Sequence, residues 1–102
     1  MPSVVRFGVF ELDLRAGELR RDGHRAKLQD QPFRVLSLLL EKPGEVITRE
    51  RLLDEVWGYE RFPTTRTVDT HILRLRKKFE ADVDRPAWIL TLHGHGYKFA
   101  AV

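Results

Sequence analysis

A chain of 102 residues, 42% apolar and 32% charged with a net charge of +3, has the composition of one soluble domain over residues 1–102 with a single core. It has no cysteine, which excludes a disulfide framework, a thiolate metal site and a cysteine nucleophile. No apolar run approaches the ~18 residues of a membrane span, and Met-Pro-Ser-Val-Val-Arg lacks the basic-then-apolar order of a signal peptide, so a cytoplasmic protein is expected.

Residues 4–28 read as short antiparallel strands. Val5, Phe7 and Val9 alternate, then Phe10, Leu12 and Leu14 alternate. The phase shift between Val9 and Phe10 predicts a turn or bulge, with Gly8 supplying backbone freedom. Ala16-Gly17 marks the next turn, and Glu18 to Arg21 is a short strand. Asp22-Gly23 is a hairpin signal, because both central residues of a type I′ turn need positive φ. His24 to Leu28 returns. A small sheet of three or four strands with one buried face is expected.

The first helix is expected over about residues 30–41, with Gln29 or Asp30 near its cap. Pro32 is tolerated in a first turn, where its missing N–H costs nothing. Phe33, Leu36, Leu39 and Leu40 form the inward stripe with Val35 nearby, and Pro43-Gly44 stops the helix. Glu45 to Ile47 is a short extended connector. Thr48 is a suitable N-cap for a second helix over about residues 49–57, with Glu50 near its positive end and Leu52, Leu53, Val56 and Trp57 inward. Gly58 ends it. A connector then runs to Thr65 and holds Tyr59, Phe62 and Pro63.

A third helix, over about residues 66–80 and capped by Thr64 or Thr65, is the most telling element. Val68, Ile72, Leu75 and Phe79 stand at spacings of 4, 3 and 4, one face of a helix. Arg66, Thr70, Leu73, Arg74 and Lys77 fall on or near the opposite face. From Arg66 to Lys78 there are five Lys/Arg and one Asp, a balance of +4 in a chain of +3, so the positive charge is concentrated here. A cationic helix whose apolar side is docked fits the major groove of duplex DNA. Alone, the same pattern equally describes a solvated charged face.

After a polar loop, Trp88 to Leu92 is a β-prone run, His93-Gly94-His95-Gly96 a turn, and Tyr97 to Phe99 a returning strand, giving a hairpin over about residues 88–100. A small sheet, three helices and a C-terminal hairpin make an α+β winged helix-turn-helix. The wing supplies a second contact beside the groove-seeking helix, and this context favours nucleic acid over a solvated face.

Val56-Trp57-Gly58, then Arg66-Thr67-Val68-Asp69-Thr70-His71-Ile72 with Arg74-Leu75-Arg76-Lys77, then Gly94-His95-Gly96-Tyr97-Lys98-Phe99, resemble the DNA-binding effector domain of the OmpR/PhoB family of bacterial response regulators. The resemblance spans nearly the whole chain. It implies a four-stranded N-terminal platform and a sequence-specific transcription factor of two-component phosphorelay signalling. It also implies a head-to-tail dimer on tandem direct repeats, the third helix in the major groove and the wing in the adjacent minor groove. Carried over residue by residue, Arg66, His71, Arg74 and Lys77 match DNA-touching positions, Arg76 a basic position near the backbone, and Tyr97 an aromatic that contacts phosphate. Residues 58–65, with Tyr59, Glu60, Arg61, Phe62 and Thr64, match a loop that faces RNA polymerase. Leu73 departs from the pattern by standing where some relatives carry a second arginine; it either meets a thymine methyl or shortens the polar contacts. His93 departs in place of a wing-tip arginine. The family's phosphorylatable receiver domain is absent, which implies an effector domain or a stand-alone regulator.

The expected DNA-binding set is Arg66, Thr67, Thr70, His71, Arg74, Arg76, Lys77, Lys78, His93 and Tyr97. Arg74 is the choice for base readout, since arginine spans guanine O6 and N7; Lys77 suits phosphate. Arg66 either contacts DNA or pairs with Asp69 at i+3. Thr67 and Thr70 either bond to DNA or decorate the helix. His71, on the flank, is a phosphate donor or a partly buried polar group. Asp69 is read as structural, and Trp57, Trp88 and Phe79 as core. His93 and His95 lie two apart in a turn, without the further ligands a metal needs. No nucleophile elbow, P-loop or His-Glu-x-x-His is present, so neither enzyme activity nor a cofactor is expected. The alternative is a protein-interaction module that keeps this fold without DNA, for which Leu73, Tyr59 and Phe62 are the supporting features.

Overall fold

In the computed structural model, which describes residues 4–58 and 64–100, four strands open the chain: β1 (Val4–Phe7), β2 (Phe10–Asp13), β3 (Glu18–Arg21) and β4 (His24–Ala26). They form an antiparallel meander in chain order. Phe7 pairs with Phe10, so Gly8 and Val9 make a two-residue turn, with Gly8 at φ +58°. Val9 therefore leaves the alternation it shows in the sequence and is 50% exposed. Asp22 at φ 51° and Gly23 at φ 79° close the last hairpin as the type I′ signal required. Between β2 and β3 the Asp13 carboxylate accepts from the N–H groups of Arg15 and Ala16, both at 3.0 Å, and so starts the turn itself. Phe7, Phe10, Leu12 and Leu19 face inward and are buried.

Three helices follow: α1 (Asp30–Glu41), α2 (Arg49–Val56) and α3 (Thr65–Phe79). α1 carries Pro32 in its first turn and buries Val35, Leu36, Leu39 and Leu40; Phe33, expected on the inward stripe, is only partly buried. Thr48 caps α2 as expected, its hydroxyl accepting from the Arg51 N–H at 3.1 Å. All four seam residues of α3, Val68, Ile72, Leu75 and Phe79, are buried. α3 starts one residue earlier than its sequence suggests, with Thr64 as the capping residue. It also ends one residue sooner, because Glu80 turns out of the helix and its carboxylate is drawn into the core. There it is 8% exposed and accepts from the N–H groups of Ala87, Trp88 and Ile89. A buried carboxylate satisfied by three backbone donors ties the end of α3 to the start of the hairpin.

The hairpin is β5 (Ile89–Leu92) and β6 (Gly96–Phe99), joined by residues 93–95. The connector between α1 and α2 also takes part: Ile47 N–H donates to the Tyr97 carbonyl at 2.8 Å and receives the Tyr97 N–H at 3.0 Å. This pairing requires a glycine at position 96, where a Cβ would stand 2.1 Å from the Ile47 carbonyl oxygen. Phe7 joins sheet, helix and hairpin, its ring lying 5.6 Å from Phe10, 5.3 Å from Phe79 and 5.0 Å from Phe99. No helix among the described residues is long and apolar enough to cross a membrane.

Candidate nucleic-acid interface

α3 docks its seam on α1 and α2, and its other side is open. Arg66, Thr70, Leu73, Arg74, Lys77 and Lys78 are all exposed. The ion pairs among the described residues do not include Arg66, Arg74, Lys77 or Lys78. Thr70 spends its hydroxyl within the helix, donating to the Arg66 carbonyl at 3.1 Å. The one acid of α3, Asp69, does not pair with Arg66. Arg49 of α2 grips it with Nε at 3.0 Å from Oδ1 and with Nη2 on Oδ2. Tyr97 of β6 donates its hydroxyl to Oδ1 at 2.6 Å. Among the described residues, then, the one acid of α3 is taken up by Arg49 and Tyr97 and forms no ion pair with the basic row.

This Asp69 cluster changes the reading of Tyr97. A phenol has one O–H to donate, and here it goes to Asp69, so only lone pairs remain for an incoming phosphate, which repels them. Burial, and then the bond to the Asp69 carboxylate, push the Tyr97 pKa up to about 12. The Arg49 pKa is raised as well, chiefly by its bond to Asp69. Tyr97 joins the wing to α3; the phosphate contact expected of it is not what its geometry provides. Arg76 is another such joint. Its Nε and Nη2 donate to the Ile89 carbonyl at 3.1 and 2.8 Å, Nη2 reaches Thr91 Oγ1 at 2.6 Å, and the guanidinium lies 5.6 Å from the centre of the Tyr97 ring.

His71 is also placed differently from the expectation of a DNA contact. It is 8% exposed, its Nδ1 is 2.8 Å from the Thr67 carbonyl oxygen, and its ring meets Trp57 edge-on at 5.0 Å. Helical periodicity places it on the flank, and Trp57 at the end of α2 covers that flank. Thr67 is half-buried, while Thr64 is exposed at the cap. His93 and His95 are exposed in the loop of the wing. Among the described residues no cluster of three or more His, Cys, Asp or Glu could hold a metal ion. Tyr59, Glu60, Arg61 and Phe62 lie outside the described residues.

The structure adds residues that periodicity had no means to find. Arg49 anchors one end of the α3–wing joint from a distant part of the chain, and Glu80, the residue that ends α3, anchors the other. Lys27, in the segment between β4 and α1, comes beside Arg74, Lys77 and Lys78 around a cleft of about 450 Å³ floored by Leu28 and Pro32. It adds a cation from outside α3 beside the C-terminal part of the helical row.

Residues 23–99 match the family described as transcriptional regulatory protein, C terminal. A probable transcriptional regulator of Guillardia theta, ycf27, is 40% identical over 102 residues, covering 98% of this chain and 40% of the relative. The chain thus spans about 40% of the length of the curated relatives it matches. The response regulator DrrB of Thermotoga maritima, an OmpR/PhoB homologue, superposes with a TM-score of 0.87 at 37% identity, over 97% of this chain and 45% of that one. The DNA-binding domain of Klebsiella pneumoniae RstA, solved in complex with its RstA box, superposes with a TM-score of 0.81 at 30% identity, over 95% of this chain and 96% of that one. A four-stranded platform, a helical trio and a hairpin joined to α3 through Asp69, found together with these matches, make this chain a member of the OmpR/PhoB-type C-terminal effector domains of transcriptional regulators.

Proposed function

We propose that this chain binds double-stranded DNA sequence-specifically in transcription regulation, as the effector domain of a two-component-type response regulator or of a stand-alone relative. The observation that carries this is the row of Arg66, Arg74, Lys77 and Lys78, exposed and outside every ion pair among the described residues, on a helix whose other face is docked. α3 enters the major groove. Arg74 reads a base, while Arg66, Lys77 and Lys78 neutralise phosphates. His93 at the wing tip approaches the adjacent minor groove. Two copies sit head to tail on direct repeats, residues 58–65 face RNA polymerase, and the protein works in the cytoplasm. The RstA domain, solved with its own DNA box, supports this reading through its shared fold.

A band-shift titration against a random duplex library at two salt concentrations tests it. The expected result is a selected sequence motif and an affinity that falls steeply with salt, by about 0.9 in the log–log slope for each phosphate neutralised. Absence of both would overturn the reading. Among the described residues the protein-interaction alternative rests on Leu73, and one exposed leucine is far smaller than the apolar patch that marks a protein interface.

A further inference from the structure

Leu73 does not belong on a phosphate-binding surface. It is 43% exposed in the middle of α3, between Thr70 and Lys77 on the outward face and next to Arg74. It is not among the residues packed against the core, and it neutralises no charge. At about 100° per residue, Leu73 leans from the centre of the row toward the side of Asp69 and Arg76, the wing side, while Arg74 leans to the other. Asp69 and Arg76 are themselves held by Tyr97, Ile89 and Thr91 of the hairpin, which fixes that direction. Thr70, one turn earlier, has its hydroxyl turned back onto the Arg66 carbonyl, and Asp69 beside it is taken up by Arg49 and Tyr97. The wing-side half of the exposed row is therefore apolar at its midpoint. The major groove offers one apolar group to meet it, the 5-methyl of thymine.

We propose that Leu73 is a specificity-determining residue that reads a thymine methyl on the wing side of the base contacted by Arg74. This rests on the DNA-binding reading above. A leucine that packs a methyl group discriminates by the hydrophobic gain of that one group, about fourfold in affinity. The effect is small, local and confined to one base pair.

The test starts from the duplex selected by the unmodified chain. Each thymine is replaced in turn by deoxyuridine, which removes the methyl and leaves base pairing intact, and the Kd of each duplex is measured for the parent chain, Leu73→Ala and Leu73→Gln. The expected result is one position at which deoxyuridine weakens the parent about fourfold and leaves Leu73→Ala unaffected. Other sensitive positions stay sensitive in both. Leu73→Gln, which keeps length and helix propensity, should on reselection prefer adenine at that single position, because glutamine spans adenine N6 and N7. If no deoxyuridine position is masked by either variant, or if both variants weaken all duplexes equally, the assignment of Leu73 falls while the DNA-binding reading stands. If the parent selects no duplex, the reading beneath it falls.

Discussion

Asp69 accepts hydrogen bonds from Arg49 of α2 and Tyr97 of β6, so one carboxylate holds three elements at one point. Replacing it with the isosteric Asp69→Asn keeps the shape and removes the charge both partners face. Arg49 is well exposed, so its share is screened by solvent; we expect a loss of about 1 kcal/mol in stability, mainly through the Tyr97 bond, visible in a thermal melt. Burial of Tyr97, and then its bond to Asp69, set a pH dependence. Tyr97 is raised to about 12 in the fold, against about 10 in an unfolded chain. Its neutral form is what the fold favours, so its contribution is fully present below pH ~10 and is lost as pH rises through about 12. Absorbance titration of a Tyr59→Phe chain should show Tyr97 ionising late. Adding Asp69→Asn should bring it only part of the way back, because burial is the larger cause. An unchanged titration would place the raised pKa on burial alone. Asp69 reads as structural from its place near the start of a helix, but its partners did not follow from sequence. Arg49 and Tyr97 lie outside the i+3 and i+4 reach of local pairing rules, and the local rule offered Arg66 instead.

At the scale of elements, what was legible depended on distance along the chain. The seam of α3, the Thr48 cap and the Asp22-Gly23 turn are local patterns, and each is found where its chemistry puts it. The pairing of Ile47 with Tyr97 is not local, and the sequence marks it only by Gly96 in what reads as an ordinary turn. That glycine yields a contrast between two neighbours. Gly94 has φ +79° with nothing within 4 Å of an added Cβ, so Gly94→Ala carries only backbone strain, about 1 kcal/mol. Gly96→Ala drives a Cβ against the Ile47 carbonyl and must break the pairing or shift the wing; we expect it to cost at least ~2 kcal/mol and to lower Tm by about 10 °C. Parallel melts of the two variants check this, and equal shifts would mean that the connector yields easily. His71 shows the same limit from the other direction. Periodicity placed it on the flank of α3 correctly, but whether that flank is open depends on where α2 ends, and Trp57 closes it.

For the molecule as a whole, the arrangement of charge matters more than its total. Arg6, Arg20, Arg25, Arg49 and Arg51 each face a carboxylate within 4 Å, whereas Arg66, Arg74, Lys77 and Lys78 enter none of these pairs. The concentration of basic residues on α3 was legible because it lies in one segment. The addition of Lys27 was not, since it depends on the sheet's last strand delivering that residue to the end of α3. A DNA backbone crossing the cleft between Lys27 and Lys78 would release counterions at both, whereas one confined to the helical row would release them only at the helix. Neutralising Lys78→Gln should reduce the log–log salt slope by about 0.9, and Lys27→Gln should do the same if the backbone crosses the cleft. Arg51→Gln, whose partner Glu55 already balances it at 3.0 Å, should leave the slope near its parent value. Binding titrations over a range of salt concentrations measure all three. A slope that responds to Arg51 as strongly as to Lys78 would mean that the paired arginines, not the open row, face the phosphates.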